Sequence, residues 1–123
     1  LSVEGLATGY GDLKVVWDVS LTVRPGQVTV LLGRNGAGKT TTLRAISGLN
    51  KVAAGRVEYD GEDLAKRTVS ERVRTGMSYV QEGKRVLHVQ TVEENLLLGG
   101  RVRKLKRAAL HAEVDRSTRC SRS

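Results

Sequence analysis

Residues 28–40 constrain this chain more than any other segment. Val28 to Leu32 is an apolar run broken only by Thr29, and it leads directly into Gly33-Arg34-Asn35-Gly36-Ala37-Gly38-Lys39-Thr40. A continuous β-branched and aliphatic run predicts a strand buried on both faces, as in a parallel sheet. Thr40 to Leu49 then predicts a helix, with Leu43, Ile46 and Leu49 on a roughly common face and Gly48 near its end. The spacing G-x-x-x-x-G-K-[ST] therefore sits on a strand-to-helix turn.

That residue pattern has a chemical reason. Glycines let the backbone curl until several N–H groups face one anion. A helix starting near Lys39 aims its positive end at the same point. Lys39 would reach the β- and γ-phosphates of a nucleotide as a point charge. The Thr40 hydroxyl is a hard oxygen of the kind Mg²⁺ takes.

The flanking sequence mixes strand and helix patterns, which places the chain in the α/β class with an antiparallel portion ahead of the loop. Leu1 to Leu6 reads as a short strand, and Thr8 to Asp12 as a turn. Trp17, Val19, Leu21 and Val23 alternate with polar residues, as in a half-buried strand. Arg56 to Tyr59 reads as a strand that turns at Asp60-Gly61. Ser70 is the expected cap of a helix through Arg74, ended by Gly76. Met77 to Val80 reads as another buried strand. Thr91 and Glu94 have the spacing of a capping box, and 102–116 carries a basic helix pattern.

Composition narrows the function classes. A chain of 123 residues is enough for one small domain. With 39% hydrophobic residues and one Pro it is not a disordered chain. The single Cys120 excludes an internal disulfide and gives no metal spacing. No apolar run approaches the ~20 residues that span a bilayer. No leader pattern is present, so the expected compartment is the cytoplasm, and a start at Leu1 suggests that first residues are missing. Net charge is +8, but residues 101–123 hold eight basic side chains against two acidic ones, so that segment alone carries +6.

The loop text Gly33 to Leu43 resembles that of ABC transporter ATPases. Asp18-Val19-Ser20-Leu21 with Gly26, then Ile46-Ser47-Gly48-Leu49, Gly55 and Asp60-Gly61, agree with that family. Tyr79-Val80-Gln81-Glu82-Gly83-Lys84-Arg85-Val86 and Thr91-Val92-Glu93-Glu94-Asn95-Leu96 are similar to its branched-chain amino-acid importer subgroup. The resemblance covers about residues 1–116 and implies an incomplete ABC ATPase domain with a P-loop NTPase-like nucleotide-binding core. It implies ATP and Mg²⁺ as cofactors, with Gly33, Asn35, Gly36, Ala37, Gly38, Lys39, Thr40 and Thr41 around the phosphates. Thr41 matches a contact to the α-phosphate. Tyr10 matches the aromatic that stacks on adenine; the alternative for it is a turn tyrosine packed on the sheet. Thr40 is the implied metal ligand. Glu82 takes the register of the family's metal-contacting Gln and Gln81 precedes it, so both are metal candidates; the alternative is a polar loop pair. The implied partners are a second ABC ATPase subunit and a membrane permease subunit, on the inner face of the cell membrane.

The family's Leu-Ser-Gly-Gly-Gln-type clamp, its apolar strand ending in Asp-Glu and its switch His have no counterpart in this sequence. Leu98-Gly99-Gly100 lacks the Ser of the clamp, and His88 and His111 are expected on the surface. The expectation is nucleotide binding without turnover. Residues 117–123 read as a tail outside the family, and a one-base shift of frame after Arg116 would account for them. Two other readings stand beside this one. The basic helix could make the chain a non-catalytic module contacting nucleic acid or acidic lipid, although no aromatics interleave with its charges to stack on bases. A small P-loop kinase or GTPase is the third, and the ABC-like text on both sides of the loop argues against it.

Overall fold

The computed structural model describes residues 1–83, 86–101 and 107–120. Four strands form one antiparallel sheet in the order β2-β1-β3-β4. They are β1 (Ser2–Tyr10), β2 (Leu13–Thr22), β3 (Val52–Tyr59) and β4 (Glu62–Asp63). The helices are α1 (Lys39–Ile46), α2 (Val69–Arg74), α3 (Val92–Arg101) and α4 (Arg107–Cys120). The chain divides into two units, Leu1–Tyr79 with the sheet, α1 and α2, and Val80–Ser123 with α3 and α4.

The core of the first unit is aliphatic. Val3, Leu6, Val57 and Leu64 meet Ala45 and Ile46 of α1, and all six are buried. Each buried Val, Leu or Ile side chain contributes about 1.5–3 kcal/mol relative to exposure, and the Ala45 methyl less. Val3 and Leu6 are three residues apart, yet both enter this core, against the two-residue alternation of a regular strand. The register explains it: Val3 faces Leu21 and Leu6 faces Val19, so β1 carries one extra residue there, at Gly5 with φ 56°. Glycine takes that backbone without a Cβ penalty. Directly opposite, a side chain at Gly55 would collide with the carbonyls of Glu4 and Gly5.

A second bulge corrects the expected alternation of β2. Leu6 pairs with Val19 but Thr8 pairs with Val16, which leaves an extra residue around Asp18, whose φ is 50°. Val16 is buried and Trp17 is turned outward at 66% exposure, with Lys14 Nζ 5.1 Å from its ring centroid. Val19, Leu21 and Val23 keep their half-buried positions.

Several local expectations hold. The Asp60-Gly61 turn joins β3 to β4 with both residues at positive φ, as a two-residue hairpin of type I′ requires. Gly48 follows α1 at φ 82°. Thr91 and Glu94 form their capping box.

Others do not. Val28–Leu32 is not a strand, and Val28 and Leu32 are 93% and 84% exposed. Met77–Val80 is not a strand either, and Val80 lies exposed. A buried parallel strand exists only between neighbours, and every strand pairing among the described residues is antiparallel and lies within residues 2–63. The buried face of α1 is Thr41, Thr42, Ala45 and Ile46, while Leu43 is 44% exposed and Leu49, beyond the end of the helix, 36% exposed. The cap of α2 is Thr68, two residues earlier than the expected Ser70: Thr68 and Glu71 form a reciprocal capping box and Ser70 lies inside the helix.

Candidate functional site

The loop before α1 is built around its glycines. Gly36 and Gly38 take φ 82° and 86°, so the backbone reverses twice before the helix begins. Gly38 is the N-cap and makes no side-chain cap hydrogen bond. The N–H groups of the first turn have no intrahelical partner, so they remain available to an anion. A Cβ on Gly38 would lie 2.8 Å from Val16 Cγ2, so β2 and the loop touch where glycine alone fits. Gly33 is hemmed in more loosely, by Ala37 and the stem of Lys39.

Lys39 folds back over this loop. Its Nζ donates to the carbonyl of Gly33 at 2.6 Å and to that of Arg34 at 2.7 Å. The ammonium thus stands above the ring of backbone that the glycines form, on the exposed side of the loop. Thr40 is exposed in the first turn, with its hydroxyl oxygen available as a hard donor. Thr41 and Thr42 are buried, and Thr42 Oγ1 donates to the Gly38 carbonyl at 2.9 Å, which ties the cap to the helix. Asn35, Gly36 and Ala37 form the exposed crest.

Tyr10 ends β1 beside the helix. Its hydroxyl lies 3.5 Å from Thr41 Oγ1, and this hydrogen bond pulls the phenol below its usual pKa against the opposing effect of burial. The residue stays 49% exposed and borders a concave groove of about 450 Å³ shared with Asp12, Lys14, Asn50 and Lys51. Folding therefore brings Tyr10 and Gly33–Thr41 into one region of the first unit. Gln81 and Glu82 are exposed at the start of the second unit. His88 is exposed, and His111 Nδ1 is 2.9 Å from Glu93 Oε1. Among the described residues no cluster of three or more His, Cys, Asp or Glu side chains could hold a metal. No helix among them is long and apolar enough to cross a membrane.

Two residues escaped the sequence reading. Asn50 is buried and uses both ends of its amide, donating to the Gly9 carbonyl at 3.0 Å and accepting from Arg44 Nε at 3.0 Å. Arg72 is 3% exposed and ends α1 with its guanidinium. Neither has a sequence signal, because each joins near neighbours to a partner more than 25 residues away. Thr68 did have one, the T-x-x-E spacing to Glu71.

The chain matches the ABC transporter family over residues 16–121. It is 41% identical over 100 residues to the high-affinity branched-chain amino acid transport ATP-binding protein BraG of Pseudomonas aeruginosa, covering 81% of this chain and 43% of BraG. It is 40% identical over 104 residues to the lipopolysaccharide export system ATP-binding protein LptB of Haemophilus influenzae, covering 85% of this chain and 43% of LptB. Among solved structures, a nucleotide-free ATP-binding cassette from an ABC transporter superposes with a TM-score of 0.73 at 29% identity, over 89% of this chain and 43% of that one. The chain thus spans less than half the length of these relatives. A glycine loop bridged by Lys39, set at the head of α1 and flanked by an antiparallel sheet, agrees with that likeness: the chain belongs to the ABC transporter family.

Proposed function

We propose that Gly33–Thr41 binds the phosphates of Mg-ATP and that Tyr10 forms one wall for its base. The observation that carries this reading is the placement of Lys39 Nζ over the Gly33 and Arg34 carbonyls, at the uncapped N-terminus of α1. Lys39, the first-turn N–H groups and the helix dipole all supply positive potential at one point. Gly33, Asn35, Gly36, Ala37 and Gly38 supply backbone rather than bulk, so a phosphate can approach closely. Thr40 would hold Mg²⁺ through its hydroxyl, and Thr41 would meet the α-phosphate. Gln81 and Glu82 are the further metal candidates that the family resemblance implies. A bound Mg²⁺ would neutralise charge on the phosphates.

We further propose that the chain is the nucleotide-binding part of a subunit that energises an ABC importer for branched-chain amino acids. It would work with a second ATPase subunit and a membrane permease, on the inner face of the cell membrane. The stretches Tyr79–Val86 and Thr91–Leu96 and the likeness to BraG support the solute class. LptB matches almost equally well. The loop therefore speaks for the nucleotide, and the solute rests on the subgroup text. Beyond the charge of the segment after residue 100, nothing among the described residues favours a basic module for nucleic acid or acidic lipid.

The test is ATP binding by the purified chain with and without Mg²⁺, beside Lys39→Ala. Saturable binding that is lost in the variant supports the phosphate site; equal binding by both chains overturns it.

A further inference from the structure

We infer that Asn50 is a positioning residue for base recognition: its side-chain amide ties the end of α1 to the backbone immediately before Tyr10, and so holds the Tyr10 ring at a set distance from the phosphate loop. This rests on the nucleotide reading above. The Tyr10 hydroxyl contact to Thr41 is long, at 3.5 Å, and Tyr10 stands between Gly9 and Gly11, the latter at φ 55°. The firm link is through Asn50. Its Nδ2 donates to the Gly9 carbonyl, its Oδ1 accepts from Arg44 Nε, and its own N–H reaches the Arg44 carbonyl at 3.2 Å. A carbonyl only accepts and this guanidinium nitrogen only donates, so the partners set the orientation of the amide. Thr8 Oγ1 adds a second tie, to the Lys51 carbonyl at 2.8 Å.

Arg44 sits three residues after Thr41 on the same helix, so the two lie on one face of α1. The helix that carries the phosphate loop at its head therefore grips the strand carrying Tyr10 at two heights. Asn50 is 8% exposed and its side chain borders the groove beside the Tyr10 ring. A short side chain with a donor and an acceptor on one planar group is what this bridge requires. Asn50→Asp keeps the size and gains an ion pair with Arg44, but sets an oxygen against the Gly9 carbonyl.

The experiment compares Mg-ATP with Mg-tripolyphosphate, which has the phosphates and no base, by calorimetric titration of the full chain. Asn50→Asp is expected to weaken ATP roughly tenfold, the worth of one base–aromatic stack, and to leave tripolyphosphate unchanged. Tyr10→Ala is expected to show the same selective loss, and the double variant no further loss. An equal drop for both ligands, or no drop for either, overturns the inference while the phosphate site stands. Asn50→Gln moves the amide by one methylene and carries the same two outcomes should Asn50→Asp not fold. Binding of neither ligand by the unsubstituted chain, or of both by Lys39→Ala, overturns the phosphate site and this inference together.

Discussion

Arg72 donates through Nη1 to the carbonyl of Ile46 at 2.6 Å, and so closes helix α1 from a helix 26 residues further along the chain. The same nitrogen reaches the Ala45 carbonyl at 2.9 Å, Nη2 reaches Leu64 at 2.6 Å, and Nε reaches Arg67 at 3.1 Å. The last carbonyls of a helix are orphaned and carry its negative end, so a planar cation with several donors suits this place. Burial pushes the guanidinium below its usual pKa, and Asp63 opposes that shift. A Cβ on Gly48 would lie 2.9 Å from Arg72 Nε, so glycine there leaves room for the fork.

Arg72→Met is accordingly expected to destabilise the first unit by on the order of 3 kcal/mol, since several buried carbonyls lose charge-assisted partners at once. Arg72→Lys keeps the charge without the fork and should recover less than half of that loss. Urea unfolding followed by circular dichroism measures both.

Gly38→Ala tests the meeting of β2 with the loop. Its backbone is left-handed and its Cβ would crowd Val16 Cγ2. The expected cost is about 1–3 kcal/mol. A second change, Val16→Ala, removes the crowding but not the backbone strain, so partial compensation in a double-mutant cycle is the expected result.

The core makes a plainer forecast. Leu6 is fully buried against α1 and the sheet. Leu6→Ala should cost about 2–5 kcal/mol from lost burial and the cavity left behind. Leu13→Ala, at a position 68% exposed, should leave the thermal midpoint nearly unchanged.

The two capping boxes confer an acid sensitivity of known sign. Hydrogen bonds from the backbone N–H and then the hydroxyl of Thr68 hold Glu71 below the usual carboxylate pKa, and Thr91 does the same for Glu94. A depressed carboxyl contributes stability above its unfolded pKa and loses it as pH falls through the folded one. Helix content should therefore fall below the ordinary glutamate range. Thr68→Ala and Thr91→Ala should each flatten part of that decline in an acid titration.

Val28–Leu32 presents exposed Val28, Val30 and Leu32 with no paired strand. Unpaired apolar segments of this kind invite association. Val30→Lys should lower light scattering of the chain at a given concentration without lowering its unfolding midpoint. Unchanged scattering would count against an association driven by this run.

Much of the candidate site's backbone geometry was legible in the residues because it is local. The glycine spacing, Lys39 and Thr40 lie within eight consecutive positions, and short-range geometry is all a curled loop at a helix head requires. The Asp60-Gly61 hairpin and the Thr91 capping box were readable for the same reason. Trp17 was misread because period-2 alternation assumes an unbroken ladder, and the bulge at Asp18 breaks it. Val28–Leu32 was misread because an apolar run states what a segment avoids, not which neighbour it finds.

What the sequence by itself determined, then, is the glycine turn at the head of a helix, its lysine, the hairpin and helix-cap signals, and membership of a family whose text surrounds them. Those features depend on contacts a few residues apart, where residue type dictates backbone geometry. Tertiary structure decided the rest: that Arg72 closes α1, that Asn50 joins Arg44 to the Gly9 carbonyl, and that Tyr10 stands beside Thr41. These pairings arise only once bulged strands and a packed helix bring distant residues together, because a hydrogen bond depends on separation in space and not along the chain.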